Sequence, residues 1–172
     1  MKIKRILFIP LLFLAVLAGA AQERDTLRIL SIGNSFSVDA IEQNLHEMAA
    51  DAGYVYIIGN MYIGGCSLER HANHAESGAA DYSYRKIGTD GIRMVREKTP
   101  LSYALKDERW DVVSFQQSSP LSGIPASYEP WLGRLVRYVK AGVPSASRFL
   151  FHQTWAYAQD ALRSEEHTSE LQ

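Results

Sequence analysis

This sequence contains little cysteine and carries almost no net charge. Its 172 residues include one cysteine, Cys66, so an internal disulfide is excluded and a packed core has to stabilise the fold. The formal net charge is -1 and no dense run of Lys or Arg occurs, which argues against a nucleic-acid partner. Nucleotide motifs of the G-x-G-x-x-G or P-loop type are also absent. Hydrophobic residues make up 47% of the chain, which is enough for one globular core.

Each end of the chain carries a segment that we set apart from the fold. Residues 1–21 combine a basic start, an apolar run over residues 6–17 and an Ala-Gly-Ala site, which is typical of a secretory signal peptide. The run is shorter than the roughly 20 residues of a membrane span, so we expect cleavage, export to the periplasm or the exterior, and no stable membrane anchor. Residues 163–172 resemble the in-frame translation of a sequencing-library adapter. We therefore expect one domain over residues 26–162, in a natural chain that continues beyond Leu162.

Short β-branched runs alternate with helical patterns in that domain. Strands are predicted at residues 27–32, 54–63, 110–115 and 148–152. Asp39 and Glu42 have the spacing of a capping box at the start of the first helix, and Gly53 is expected to end that helix. Residues 82–95 are predicted to form an inserted β-hairpin. The order of elements indicates an α/β fold with a doubly wound parallel sheet.

Four loops stand where a ligand site is expected, because ligands of an open α/β sheet bind beyond the carboxyl ends of its strands. These loops are predicted at residues 33–37, 64–67, 116–119 and 152–155. Ser35 lies at the end of the first strand, where an exposed hydroxyl can act as a nucleophile beside backbone N–H donors. The alternative is an ordinary turn in which Ser37 or Asp39 caps the following helix.

Two short motifs carry a family resemblance. G-N-S-F-S at residues 33–37 resembles the nucleophile motif of the SGNH (GDSL-like) hydrolases, and G-G-C-S at residues 64–67 stands where that family has its second glycine block. With the Q-Q and H-Q-T-W-A-Y stretches, the resemblance spans residues 27–160 and is similar in particular to an uncharacterised branch of exported bacterial proteins. It implies the flavodoxin-like three-layer fold of the family and a serine ester hydrolase that needs no cofactor.

The resemblance implies a role for each matching residue. Ser35 would be the nucleophile, with its own N–H and that of Gly65 donating to the oxyanion. The third block of the family supplies an asparagine side chain that this sequence lacks. A glutamine amide offers the same donor, so Gln117 is expected, in preference to Gln116, as the third oxyanion donor. The alternative for this pair is a hydrogen-bonded strand end. The expected binding residues are Asn34, Gln116 and His152.

The fourth block of the family, D-x-x-H, supplies the catalytic base and its orienting acid, and it does not occur in this sequence. We therefore expect no esterase turnover from the 172-residue chain, and a His–Asp pair farther along the natural protein. That protein is predicted to be an exported esterase acting on O-acyl esters of small molecules or carbohydrates, acetyl esters among them. The alternative is a non-catalytic glycan-binding module on the same scaffold, with Tyr62, Trp155 and Tyr157 stacking on sugars.

Two further patterns allow other chemistry. His71 and His74, together with Glu76 and Cys66, are metal-ligand types, but the sequence has no standard zinc spacing and we predict no metal site. Cys66 follows two glycines at a helix start, which can lower the pKa of a thiol and make it a nucleophile paired with His71. The competing interpretation of Cys66 is a small buried residue.

Overall fold

A computed structural model describes residues 26–153, and every structural statement below concerns that part of the chain. The predicted signal peptide, the adapter-like tail and the aromatic residues Trp155 and Tyr157 lie outside the described residues. The domain bounds of 26–162 therefore stay a prediction.

Six strands form one sheet in the order β4-β3-β2-β1-β5-β6. Strands β2, β1, β5 and β6 are parallel to one another, whereas β3 and β4 form an antiparallel hairpin on the β2 side. The predicted hairpin and the four predicted parallel strands are thus confirmed, in a mixed and mostly parallel sheet. The strands are β1 (Thr26–Gly33), β2 (Val55–Tyr62), β3 (Tyr82–Ile87), β4 (Arg93–Thr99), β5 (Val112–Phe115) and β6 (Arg148–Phe151).

Helices cover both faces of the sheet. The α-helices are α1 (Ser35–Ser37), α2 (Leu45–Asp51), α3 (Leu68–Ser77), α4 (Leu101–Asp107) and α5 (Trp131–Gly142). A π-helix at Val38–Glu42 joins α1 to α2, and two 3₁₀ turns lie at Ser119–Leu121 and Pro125–Ser127. No helix within residues 26–153 is long and apolar enough to cross a membrane.

Strand alternation divides the core into two parts. Helices α3, α4 and α5 pack together on one face, over a large cluster that includes Leu30, Met61 and Phe115. The opposite face holds a smaller cluster of Ile41, Ile58 and Ile87, which joins the π-helix to the hairpin. The architecture is therefore a three-layer α/β arrangement.

The predicted capping box at Asp39 and Glu42 is wrong. Ser37 precedes the π-helix without a side-chain capping bond, and Asp39 lies inside that helix. Glu42 is buried and its carboxylate binds Asn60 and two arginines, so it cannot return to cap a backbone N–H. The other boundary prediction is confirmed, because α2 ends at Asp51 with Ala52 as its C-cap, and Gly53 follows with a positive φ of 84°.

Candidate active site

The candidate site lies where β1 separates two halves of the parallel sheet. The chain passes from β1 to β2 on one side and later returns to β5 on the other, which makes the gap between β1 and β5 a topological switch point. In open α/β sheets the loops diverge at a switch point, and ligands bind in the crevice beyond the carboxyl ends of the strands. The predicted site loops after β1, β2 and β5 lie at this edge, and so do His152 and Gln153, the described residues of the loop after β6.

Ser35 is exposed at this edge of the sheet. It follows β1 directly, after the buried residues Gly33 and Asn34, and it begins the short helix α1. Neither the hydroxyl nor the N–H of Ser35 has a hydrogen-bond partner within residues 26–153. The serine therefore has both an unpaired hydroxyl and an unpaired N–H within the described chain. The alternative in which Ser37 caps the helix does not fit, because the Ser37 hydroxyl turns inward to Asn34 and Asn60.

Asn34 fixes the backbone next to Ser35. Its side chain is 1% exposed, and its Oδ1 accepts from the N–H of Phe36 at 3.2 Å. Its Nδ2 donates to the carbonyl of Cys66 at 3.1 Å and lies 3.4 Å from the carbonyl of Gln117. One buried amide thus joins the loops after β1, β2 and β5. The hydrogen bonds show a structural role for Asn34, and its predicted role in binding stays a prediction.

Gln116 connects Asn34 to His152. One end of its fully buried amide lies 2.6 Å from Asn34 Oδ1, and the other end lies 2.8 Å from His152 Nδ1. Gln116 Nε2 donates to Asn34 Oδ1, and Gln116 Oε1 then accepts from His152 when the proton of the imidazole is on Nδ1. His152 is half-buried, and burial holds its pKa below the usual value. Asn34, Gln116 and His152 therefore form one connected polar chain.

Gly33 makes room for this chain. A Cβ atom at position 33 would lie 2.7 Å from Gln116 Nε2 and 2.9 Å from Ser37 Oγ. Any larger residue would displace the amide that joins Asn34 to His152. Close packing around position 33 thus explains why the G-N-S motif begins with glycine in this structure.

The side-chain amide of Gln117 already has hydrogen-bond partners on other loops, which argues against its predicted role as an oxyanion donor. Its Nε2 donates to the carbonyl and hydroxyl of Ser127 at 3.0 and 3.1 Å. Its Oε1 accepts from the N–H of Leu68, at the start of α3, and from Ser118. Gln117 would have to leave Ser127 to reach an oxyanion. In the structure, these hydrogen bonds of Gln117 connect the start of α3 to the 3₁₀ turns at the edge of the site.

Gly65 fits its predicted role as a backbone donor. It is exposed in the loop after β2, it adopts a positive φ of 60°, and its N–H is unpaired within the described chain. The neighbouring Cys66 carbonyl accepts from Asn34, which brings this loop against the loop of Ser35.

The alternative nucleophile Cys66 does not suit that chemistry. Cys66 is 1% exposed, and burial raises the pKa of its thiol to about 12. Its proposed partner His71 is fully buried and binds the hydroxyl of Tyr82 at 2.9 Å, with its pKa lowered by burial to about 3. The burial of both side chains favours the interpretation of Cys66 as a small core residue. Among the described residues no group of three or more His, Cys, Asp or Glu is placed to hold a metal ion.

The aromatic surface expected for glycan stacking is limited in the described chain. Tyr62 is half-buried at the end of β2, and the guanidinium of Arg85 covers its ring at 3.9 Å from the centroid. That ring face is therefore not free for a sugar. The other two aromatic candidates lie beyond residue 153.

Sequence reasoning missed the polar groups behind Ser35. Glu42, Asn60 and Ser37 are all buried and linked by hydrogen bonds of 2.9 Å. The one available signal was Asn60, a polar residue within an otherwise apolar and aromatic strand.

Comparisons with known proteins give a consistent family. The domain of unknown function DUF4886 matches residues 28–169. A crystal structure of a DUF4886 family protein from Bacteroides uniformis ATCC 8492 is 46% identical and superimposes with a TM-score of 0.79. The match covers 85% of this chain and 56% of that protein, so the chain spans little more than half of its relative's length. A comparison with curated proteins finds no match. This chain belongs to the DUF4886 family.

Proposed function

We propose that the natural protein is an exported ester hydrolase of the SGNH type, with Ser35 as its nucleophile. The observation that carries the proposal is an exposed, unpartnered serine directly after a buried asparagine that joins three site loops. A reactive serine needs this combination of access and rigid support. The parallel strand order β2-β1-β5-β6 also agrees with the flavodoxin-like arrangement expected for that superfamily.

The proposed reaction proceeds through an acyl-enzyme. Ser35 Oγ attacks the ester carbonyl carbon and gives up its proton to a base, and the carbonyl oxygen becomes an oxyanion. The N–H groups of Ser35 and Gly65 are unpaired within residues 26–153 and serve as its donors. The C–O bond to the alcohol then breaks, the alcohol leaves with a proton, and water hydrolyses the acyl group from Ser35. No cofactor takes part.

The base is assigned to a His–Asp pair farther along the natural chain, because no D-x-x-H occurs in these 172 residues. His152 is given a binding role. Its Nδ1 is held by Gln116, which orients the ring beside the crevice without a carboxylate partner within the described chain. The proposed substrates are O-acyl esters, with acetylated carbohydrates as one class that an exported enzyme would meet.

Hydrolysis of p-nitrophenyl acetate tests the proposal. The gene is resequenced across the codons for Leu162 to Gln172, and the protein that the locus encodes is compared with the 172-residue chain. We expect turnover by the former only, and its loss in Ser35→Ala. Hydrolysis that survives Ser35→Ala would contradict the assignment, and so would Ser35-dependent turnover by the 172-residue chain, since that chain lacks the base. Ser67→Ala is a control that removes a hydroxyl from the neighbouring loop.

A further inference from the structure

A buried carboxylate lies behind the Ser35 turn and takes no part in the proposed chemistry. Glu42 is 4% exposed at the end of the π-helix. Its Oε2 accepts from Asn60 Nδ2 at 2.9 Å, and Asn60 Oδ1 accepts from Ser37 Oγ at 2.9 Å. The same Ser37 hydroxyl lies 2.7 Å from the carbonyl of Asn34. A continuous path of buried polar groups therefore leads from Glu42 to the residue before the serine.

The direction of this path is set by Glu42. A carboxylate only accepts hydrogen bonds, so the Asn60 amide has to turn its Nδ2 toward Glu42. That orientation leaves Asn60 Oδ1 facing Ser37, as an acceptor for its hydroxyl. A neutral amide at position 42 could present either end to Asn60, and the orientation would no longer be unique.

The charge of Glu42 is balanced by the hairpin of β3 and β4. Arg85 Nη1 lies 3.3 Å from Oε2, and Arg93 Nη2 lies 2.8 Å from Oε1. A buried carboxylate is costly unless it is paired in this way. Arg85 also covers the ring of Tyr62, at the end of β2 before the loop of Gly65. The hairpin thus contacts both the π-helix that follows the serine turn and the strand that leads to the second proposed donor.

Apolar contacts hold the hairpin in this position. Ile87 of β3 packs with Ile41 of the π-helix and Ile58 of β2. At the tip of the hairpin, a Cβ on Gly91 would lie 3.3 Å from the His46 ring of α2. The ion pairs of Glu42 therefore join two elements that already pack together.

We propose that Glu42 is a positioning residue for Ser35, acting through Asn60 and Ser37, and that the hairpin supplies the two guanidinium groups that pair with it. The inference rests on the proposed function of Ser35. A π-helix directly after a reactive turn agrees with the frequent occurrence of such segments at functional sites.

Two measurements on the protein encoded by the resequenced gene test this role. The first is the rate at which a fluorophosphonate labels Ser35, together with kcat and KM for p-nitrophenyl acetate. The second is hydrogen–deuterium exchange of the segment 34–42, which needs no activity. Glu42→Gln should slow labelling by about tenfold or more, since small misplacement of a reacting group has effects of this order. It should also lower kcat with KM within about twofold and speed exchange in the segment.

Glu97→Gln is the matched control, because Glu97 lies in the same hairpin and accepts from Ser83 at 2.9 Å without contacting Glu42. It should change neither readout. Arg93→Gln should slow labelling by a smaller factor than Glu42→Gln. Arg96→Gln should not, since Arg96 lies over Tyr103 at 4.2 Å.

A double variant separates a shared path from two independent effects. Ser37→Ala combined with Glu42→Gln should label about as slowly as the slower single variant, because both break one path. Multiplied effects would overturn the proposal, as would parent-like labelling or parent-like exchange in Glu42→Gln. If the parent itself is not labelled, the proposed function fails, and the exchange of residues 34–42 alone decides the positioning role.

Discussion

The two edges of the parallel sheet differ in how far their polar side chains are buried. At the carboxyl edge the amides of Asn34, Gln116 and Gln117 are at most 1% exposed, and every one has hydrogen-bond partners. At the amino edge, Arg28 meets Glu108 and Asp111 at 3.4 and 3.9 Å, with all three side chains partly exposed. That edge lines an open cavity of about 950 Å³.

The difference shows which edge can hold its side chains in a single arrangement. A buried amide without partners costs about 1–3 kcal/mol, so a cluster of satisfied amides tolerates one arrangement only. Exposed ion pairs contribute about 0–1 kcal/mol and tolerate many arrangements. The carboxyl edge can therefore hold a reactive serine in a fixed geometry, whereas the amino edge cannot do so by the same means.

Removing Gln116 should have the largest effect. Gln116→Ala leaves Asn34 and His152 without their shared partner and should cost about 3 kcal/mol of folding free energy, with labelling of Ser35 slowed about tenfold or more. Urea unfolding and the fluorophosphonate rate measure the two effects. Gln117→Ala, which releases Ser127 and Leu68 instead, should destabilise by a similar amount but slow labelling less. Equal slowing by both variants would restore Gln117 to the predicted oxyanion role.

Gly33→Ala should have the next largest effect. The new Cβ would lie within 3 Å of the Gln116 amide and of Ser37 Oγ, so both must shift, at about 1–3 kcal/mol. Gly123→Ala is the control, since a Cβ there meets nothing within 4 Å. Thermal unfolding compares the two, and equal melting temperatures would show that the close packing around Gly33 is absent in solution.

Lowering the pH should reduce the free energy of unfolding of the protein. Burial lowers the pKa of His71 to about 3 and also lowers that of His152. Because the unfolded chain binds these protons more readily, stability is complete above about pH 6.5 and falls as the pH drops toward 3, by at most about 1.4 kcal/mol per unit for His71. Urea midpoints at pH 7, 6 and 5 measure the slope. His71→Phe should flatten it, and His46→Gln should leave it unchanged.

The smallest effect is expected at the amino edge. Arg28→Gln removes the pairs with Glu108 and Asp111 and should cost less than about 1 kcal/mol, since these charges are screened by solvent. Labelling of Ser35 should stay at the parent rate. A loss of folding free energy as large as that expected for Gln116→Ala would show that the two edges do not differ in this way.

Local patterns were enough to predict much of this molecule. The strands, the hairpin and the exposed Ser35 follow from alternation, turn residues and the strand-end rule, all of which act within a few residues. The strand-end rule also anticipates that Asn34, Gln116 and His152 lie together, because strand ends at one edge meet, and their role as binding residues stays a prediction. The partners of Glu42 lie 18 and 43 residues away, in Asn60 and Arg85, and no local pattern contains them. A capping box was predicted for the same reason, since spacing alone does not show that Glu42 is buried among arginines.

The central claim is that Ser35 is a nucleophile, and mass spectrometry of the fluorophosphonate-treated protein tests it most directly. The protein is expressed from the gene resequenced through the codons for Leu162 to Gln172. The account predicts one adduct per chain, located on Ser35 by peptide mapping and lost in Ser35→Ala. An unmodified protein, or an adduct that persists in Ser35→Ala, would contradict it.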